Sequence, residues 1–187
     1  MSAIQVSRLV RSALETRFDA VFSTALAAAC AEFGIPQLAY VIDFSGTEPA
    51  LEPATGPDQV PTQNYFRGDW SLDELLAIRE PDFPVLAMWT GSGQNLHLQM
   101  PRTFSGYLEV FWRIFLPIPM RMSGLVDLRE ATEAAMLACL DAELVVASYR
   151  GDLSWDPPSE PRVVSQDEDK LSLVQSVTYR ASFEVNV

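Results

Sequence analysis

From Leu108 to Leu116 the chain alternates by face. Leu108, Val110, Trp112, Ile114 and Leu116 fall on one side, and Glu109, Phe111, Arg113 and Phe115 on the other. This is the period of two that a pleated strand imposes, and the β-branched and aromatic residues suit it. With its lead-in from Phe104, the run predicts a long strand over 104–116, broken by Pro117 and Pro119. The first face is wholly apolar and calls for burial. The second mixes a carboxylate, a guanidinium and two Phe, a composition suited to meeting another protein surface.

Helical periods flank this strand. Ile4, Val6, Leu9, Val10, Ala13 and Leu14 approximate an i, i+3, i+4, i+7 stripe, with Arg8, Arg11 and Glu15 elsewhere on the wheel; this predicts an amphipathic helix over 3–15. Asp19 to Phe33 continues helically and stops at Gly34, with Pro36 beyond, the usual order of a helix C-terminus. The pattern leaves open whether residues 16–18 interrupt it. Gln37–Phe44 reads as a short strand. A Pro/Gly-rich loop over 45–64 follows, long for a connection inside a domain, and reads either as a solvated insertion or as an arm folded onto a neighbour.

Ser71-Leu-Asp-Glu74 matches a capping box and opens a short helix ending before Pro81. Pro84–Thr90 is an apolar run of strand length, followed by a Gly91-Ser-Gly93 turn and a polar stretch through His97. Asp127 with Glu130 marks the start of a helix reaching Glu143, its buried side made of Leu128, Ala131, Ala135, Leu137, Ala138 and Leu140. Leu144–Tyr149 either extends that helix or begins a strand, and a second loop over 150–161 carries three prolines. Arg162–Ser165 and Leu171–Val187 flank a charged turn, a hairpin signal. The expected fold is α+β: a mostly antiparallel sheet with helices packed on one face and a C-terminal β-hairpin, in one domain over 1–187.

Composition narrows the function classes. The 187 residues are 48% hydrophobic, enough for a real core. Net charge is −12, Lys170 is the single lysine, and the arginines form no run. A phosphate-backbone binder needs a basic stripe, so direct nucleic-acid binding is not expected. Cys30 and Cys139 lie in Ala-rich helical patterns and read as small buried side chains in a reducing compartment. No signal peptide and no membrane span are expected, which puts the protein in the cytoplasm where it is made.

No catalytic motif appears. His97, the only histidine, has no Asp or Cys nearby, so it reads as an ordinary surface or half-buried residue rather than a general base. Two separated Cys and one His do not make a structural zinc site. Asp167, Glu168 and Asp169 are consecutive carboxylates without the spacing of a calcium loop. Gly91-Ser-Gly93 lacks the helix that a dinucleotide fingerprint or a nucleophile elbow requires. No enzyme activity, cofactor or metal is expected. Two other classes stay open: a ligand-binding module with an apolar pocket near Trp89 and Trp112, and a hydrolase using Ser92 or a carboxylate pair.

The layout resembles one family. An N-terminal amphipathic helix precedes the Pro-Val-Leu-Ala-Met strand at 84–88. Ser105-Gly106-Tyr107 leads into the long alternating strand, the helix at 127–143 follows, and a hairpin closes on Tyr179-Arg-Ala-Ser-Phe-Glu-Val-Asn-Val187. This order resembles the tail-terminator (tail-completion) proteins at the head-proximal end of long bacteriophage tails. The resemblance implies a homo-hexameric ring in the virion neck that caps the tail tube protein, stops tube growth and presents a docking face to the head–tail connector protein. DNA would pass through without specific binding, and an acidic bore would repel its phosphates. Within that reading, Glu109, Phe111, Arg113 and Phe115 are the expected subunit contact, the alternative being that a helix of the same chain covers Phe111 and Phe115. Asp167, Glu168 and Asp169 are the expected lumen or docking carboxylates. Another neck ring protein is the nearest alternative.

Overall fold

Among the described residues, three helices and one eight-stranded sheet make up the fold. The computed structural model describes residues 3–35, 64–78, 84–91, 96–99, 103–118, 125–141, 143–151, 153–167 and 170–187. The elements in order are α1 (Ala3–Glu32), β1 (Tyr65–Arg67), α2 (Leu72–Ile78), β2 (Val85–Thr90), β3 (Leu96–Gln99), β4 (Thr103–Ile118), α3 (Leu125–Leu140), β5 (Ala147–Tyr149), β6 (Ser154–Trp155), β7 (Arg162–Asp167) and β8 (Lys170–Asn186). The strand expected over Gln37–Phe44, nearly all of the 45–64 loop, and the turn residues Ser92 and Gly93 lie outside the described residues.

The centre of the sheet is the antiparallel pair β4–β8, in register from Ser105 opposite Asn186 to Ile118 opposite Leu173. The strand order is β1-β2-β4-β8-β5; β3 also pairs with β4, and β6 and β7 also pair with β8. All pairings are antiparallel except β1 with β2. The hairpin β7–β8 stands where the charged turn predicts it. The fold is therefore α+β as expected.

Alternation along the two long strands separates two layers. On one face Leu108, Val110, Trp112, Ile114 and Leu116 meet Val177, Tyr179, Ala181, Phe183 and Val185, all buried. α1 and α3 cover this face, and their apolar sides complete one continuous core with it. A smaller cluster sits on the opposite face, where Leu75 of α2 joins Phe66, Val85, Ala87, Phe115 and Val174.

Two open points are settled and several expectations are corrected. α1 is a single uninterrupted helix of 30 residues. Its buried line runs Val6, Val10, Leu14, Phe18, Phe22, Leu26, Cys30. At about 100° per residue each four-residue step advances the line by about 40°, so it winds around the helix. Ile4 lies off this line at 82% exposure, and Leu9 is exposed at its margin.

β4 runs through Pro117 rather than stopping there. The Glu109 carbonyl accepts a hydrogen bond from the Gly91 N–H, so odd-numbered backbone groups of β4 point toward β2. β2 begins opposite Phe115, and among the described residues no strand on that side asks Pro117 for the donor it lacks.

α3 starts at Leu125, so Asp127 is an acidic residue of the first turn and not a cap, and the helix ends at Leu140. Leu137 faces solvent, whereas Thr132, Met136 and Cys139 are buried. Leu144–Tyr149 resolves into a turn and β5, with Leu144 and Ala147 exchanging hydrogen bonds.

Candidate functional site

The second face of the sheet is only half covered. α2 opens with a formed capping box: Glu74 Oε2 accepts from the Ser71 N–H and hydroxyl at 2.7 Å each, and the Ser71 hydroxyl accepts from the Glu74 N–H. These Ser71 donors hold the Glu74 carboxyl below its usual range. The helix shields the lower part of the face, and Phe115 is buried there by the chain itself. Gly68, at φ +124°, takes a backbone region that disfavours side chains and lets the indole N–H of Trp70 donate to the Arg67 carbonyl at 2.9 Å.

Arg113 ties this connector down. Its Nη1 lies 2.7 Å from Asp69 Oδ1 and donates to the Trp70 carbonyl at 2.8 Å, while Nε donates to Thr178 Oγ1. Its guanidinium also stands 5.2 Å from the Trp89 ring centroid, within cation–π range. A guanidinium with four intramolecular partners first positions the β1–α2 connection, whatever else it meets.

Above α2 no described helix covers the face. Trp89 and Phe111 are opposed in register and stack with ring centroids 5.5 Å apart and planes 10° apart. Gly91 makes room for this pair, since a Cβ there would come within 3.2 Å of Phe111 Cε2. Both rings are half-buried. Beside them Glu109 and Arg180 approach to 3.8 Å with side chains 44% and 56% exposed. Tyr107 is exposed, and Arg150 Nε forms an ion pair with Glu184 Oε2 at 2.8 Å. An aromatic centre with charged groups at its rim is the anatomy of a protein-binding patch. Of the four residues expected at a subunit contact, Glu109 and Phe111 belong to this patch, Arg113 borders it, and Phe115 lies beneath α2. Sequence named Trp89 only as a pocket wall beside Trp112 and did not single out Arg180; cross-strand register brings both to Phe111.

The other chemistry is dispersed. Trp89 and Trp112 point to opposite faces, Trp112 being fully buried beneath α1, where it stacks on Phe18, so they share no pocket. His97 is exposed on β3 opposite Ser105. Burial raises the thiol pKa of Cys30, and that of Cys139 to about 12, the reverse of what activates a nucleophile. Both thiols are free. Among the described residues no three His, Cys, Asp or Glu side chains gather as a metal set, and no helix is long and apolar enough to cross a membrane. Asp167 stands opposite Lys170 in the β7–β8 register; its side chain, with Glu168 and Asp169, lies outside the described residues, as do Ser92 and Asp152.

One buried polar cluster has no counterpart in the sequence reading. Glu15 of α1 accepts from the Tyr65 hydroxyl and from Arg67 Nε at 2.7 Å each, and from Arg67 Nη2 at 3.1 Å. Arg11 lies 3.9 Å away. Burial, followed by the bond to Glu15, pushes the Tyr65 hydroxyl pKa upward. The cluster fastens α1 to β1 and is structural in character. No protein-family model matches this chain, and no curated protein is similar to it.

Proposed function

We propose that this protein is a structural assembly protein of the tail-terminator kind: a ring that caps the head-proximal end of a phage tail tube, stops its growth and offers a face to the head connector. The observation that carries the reading is the half-open sheet. Helices bury one face, while the Trp89–Phe111 stack and the Glu109–Arg180 pair remain on the other. Partial cover over a stacked aromatic pair suits a lasting contact with a neighbouring subunit. Ring closure requires such contacts to be head-to-tail. The net charge of −12 supports a bore that repels the DNA backbone.

Negative-stain electron microscopy of the purified protein, with and without tail tubes, tests this. Rings of about six subunits, or caps on one tube end, are expected. Rings that bind connectors and ignore tube ends would reassign it to another neck position, and dispersed monomers indifferent to both would overturn the reading. Phe111→Asp and Arg180→Glu should abolish capping while leaving the fold intact. Arg113→Glu is a poorer probe, because it also breaks the Asp69 and Trp70 contacts.

A further inference from the structure

A groove of about 540 Å³ lies on the helix-covered side, between the end of α3 and β5. Leu137 and Leu140 give it apolar walls with the ring of Tyr149, and Asp141 and Glu143 line it as carboxylates. Leu137 is exposed, and Val145 beside the groove is fully exposed. Arg150, the one base in the lining, is already engaged by Glu184. Among the described residues neither Asp141 nor Glu143 has an ion-pair partner. The negative end of α3 adds to the same field. The groove therefore suits an apolar group joined to a cation.

The same chain carries such a group elsewhere. Ile4 and Arg8 lie one turn apart on α1, where i and i+4 side chains share a face. Both are exposed, and among the described residues Arg8 has no ion-pair partner. Arg17 marks where α1 passes the groove, because its guanidinium donates to the Cys139 and Ala138 carbonyls at the end of α3. Arg8 is nine residues from Arg17, which is about 14 Å along the axis and half a turn around it. A chain cannot seat its own Ile4–Arg8 face in its own groove.

We propose that the Ile4–Arg8 face of one copy docks into the α3–β5 groove of the next. The chain carries −12 overall, so two copies repel unless opposite charges meet where they touch. Arg8 against Asp141 and Glu143 supplies that match, with Ile4 against Leu137 and the Tyr149 ring as its apolar centre. Two different patches in contact make a head-to-tail interface, which propagates and can close. The inference does not rest on the proposed function: it names one contact between copies, and that contact stands without any tail tube.

The test uses sedimentation velocity on the full chain. Wild-type protein is expected to self-associate, more weakly at high salt. R8E and the double variant D141R/E143R should each weaken association by about tenfold or more. Both replace exposed residues, so circular dichroism and thermal midpoints should match wild type. An equimolar mixture should then recover association, because the glutamate of R8E meets the arginines of the double variant and the two unaltered patches meet each other. Wild type that stays monomeric at its highest soluble concentration, either variant associating like wild type, or a mixture that stays dissociated would each overturn the proposal. Tube capping is scored separately: capping by R8E would overturn this contact and spare the tail-terminator reading. Association through this pair by a protein that ignores tubes would do the reverse.

Discussion

Glu15 shows what one residue does when the fold chooses its neighbours. On the helical wheel it is an ordinary polar position, yet its carboxylate is buried with two hydrogen bonds from Arg67 and one from Tyr65. Removing a buried acceptor strands its donors, and charge-assisted bonds of this kind contribute about 1.5–3 kcal/mol each. Arg67 is partly exposed, so water compensates some of that loss. Glu15→Gln should therefore cost about 1–3 kcal/mol, read as a lower midpoint in urea unfolding with an unchanged slope. Gly91 makes a different point. Gly91→Ala sets a methyl at 3.2 Å from Phe111 Cε2, so the ring must shift by a few tenths of an ångström. The expected result is a changed near-ultraviolet circular dichroism signal from Trp89 with a stability loss below about 1 kcal/mol.

At the scale of elements, the informative contact is α1 on α3. Helix C-termini leave carbonyls without intrahelical donors, and Arg17 supplies two bonds to those of α3. Arg17→Met keeps the side chain's apolar stem and removes the bonds. It should destabilise the fold by about 1 kcal/mol and accelerate amide exchange in the last turn of α3 before that of β4 or β8. Sequence pattern located this helix but misjudged its ends and one face. A stripe of Leu and Ala names what is apolar without saying which of them the neighbour reaches. Leu137 is exposed and Thr132 buried because α1 and the sheet meet α3 from particular sides; Thr132 satisfies its hydroxyl by donating to the Leu128 carbonyl at 2.8 Å.

At the scale of the whole molecule, burial links the fold to pH. Burial pushes the Tyr65 and Tyr179 hydroxyls upward in pKa, and takes the Cys139 thiol from an ordinary 9.0 to about 12. A raised pKa means that the folded state holds its proton after the unfolded chain has released it, so stability falls as pH rises through that interval. The contribution is intact below pH 9 and declines from about pH 9 to 12, with both tyrosines adding above their ordinary value of 10.0. Thermal midpoints should be level on the neutral side and fall progressively above pH 9. Cysteine-directed reagents at neutral pH should label neither thiol until the protein unfolds.

What the sequence determined by itself is whatever depends on local period and local chemistry. A two-residue alternation specifies two faces of β4 and β8, four-residue spacing specifies a helix, and Ser71 with Glu74 closes its capping box within one turn. The α+β class, the β7–β8 hairpin and the buried cysteines followed from such signals. Only the tertiary structure decided which residues meet across long separations. Phe115 is buried while Phe111 is half-open because α2 covers one end of the sheet and stops. Register alone sets Trp89 and Arg180 on either side of Phe111, and the crossing of α1 over β1 gives Glu15 its arginine and tyrosine. Pairing register and helix crossing are set by the whole packed core, so no window of sequence carries them.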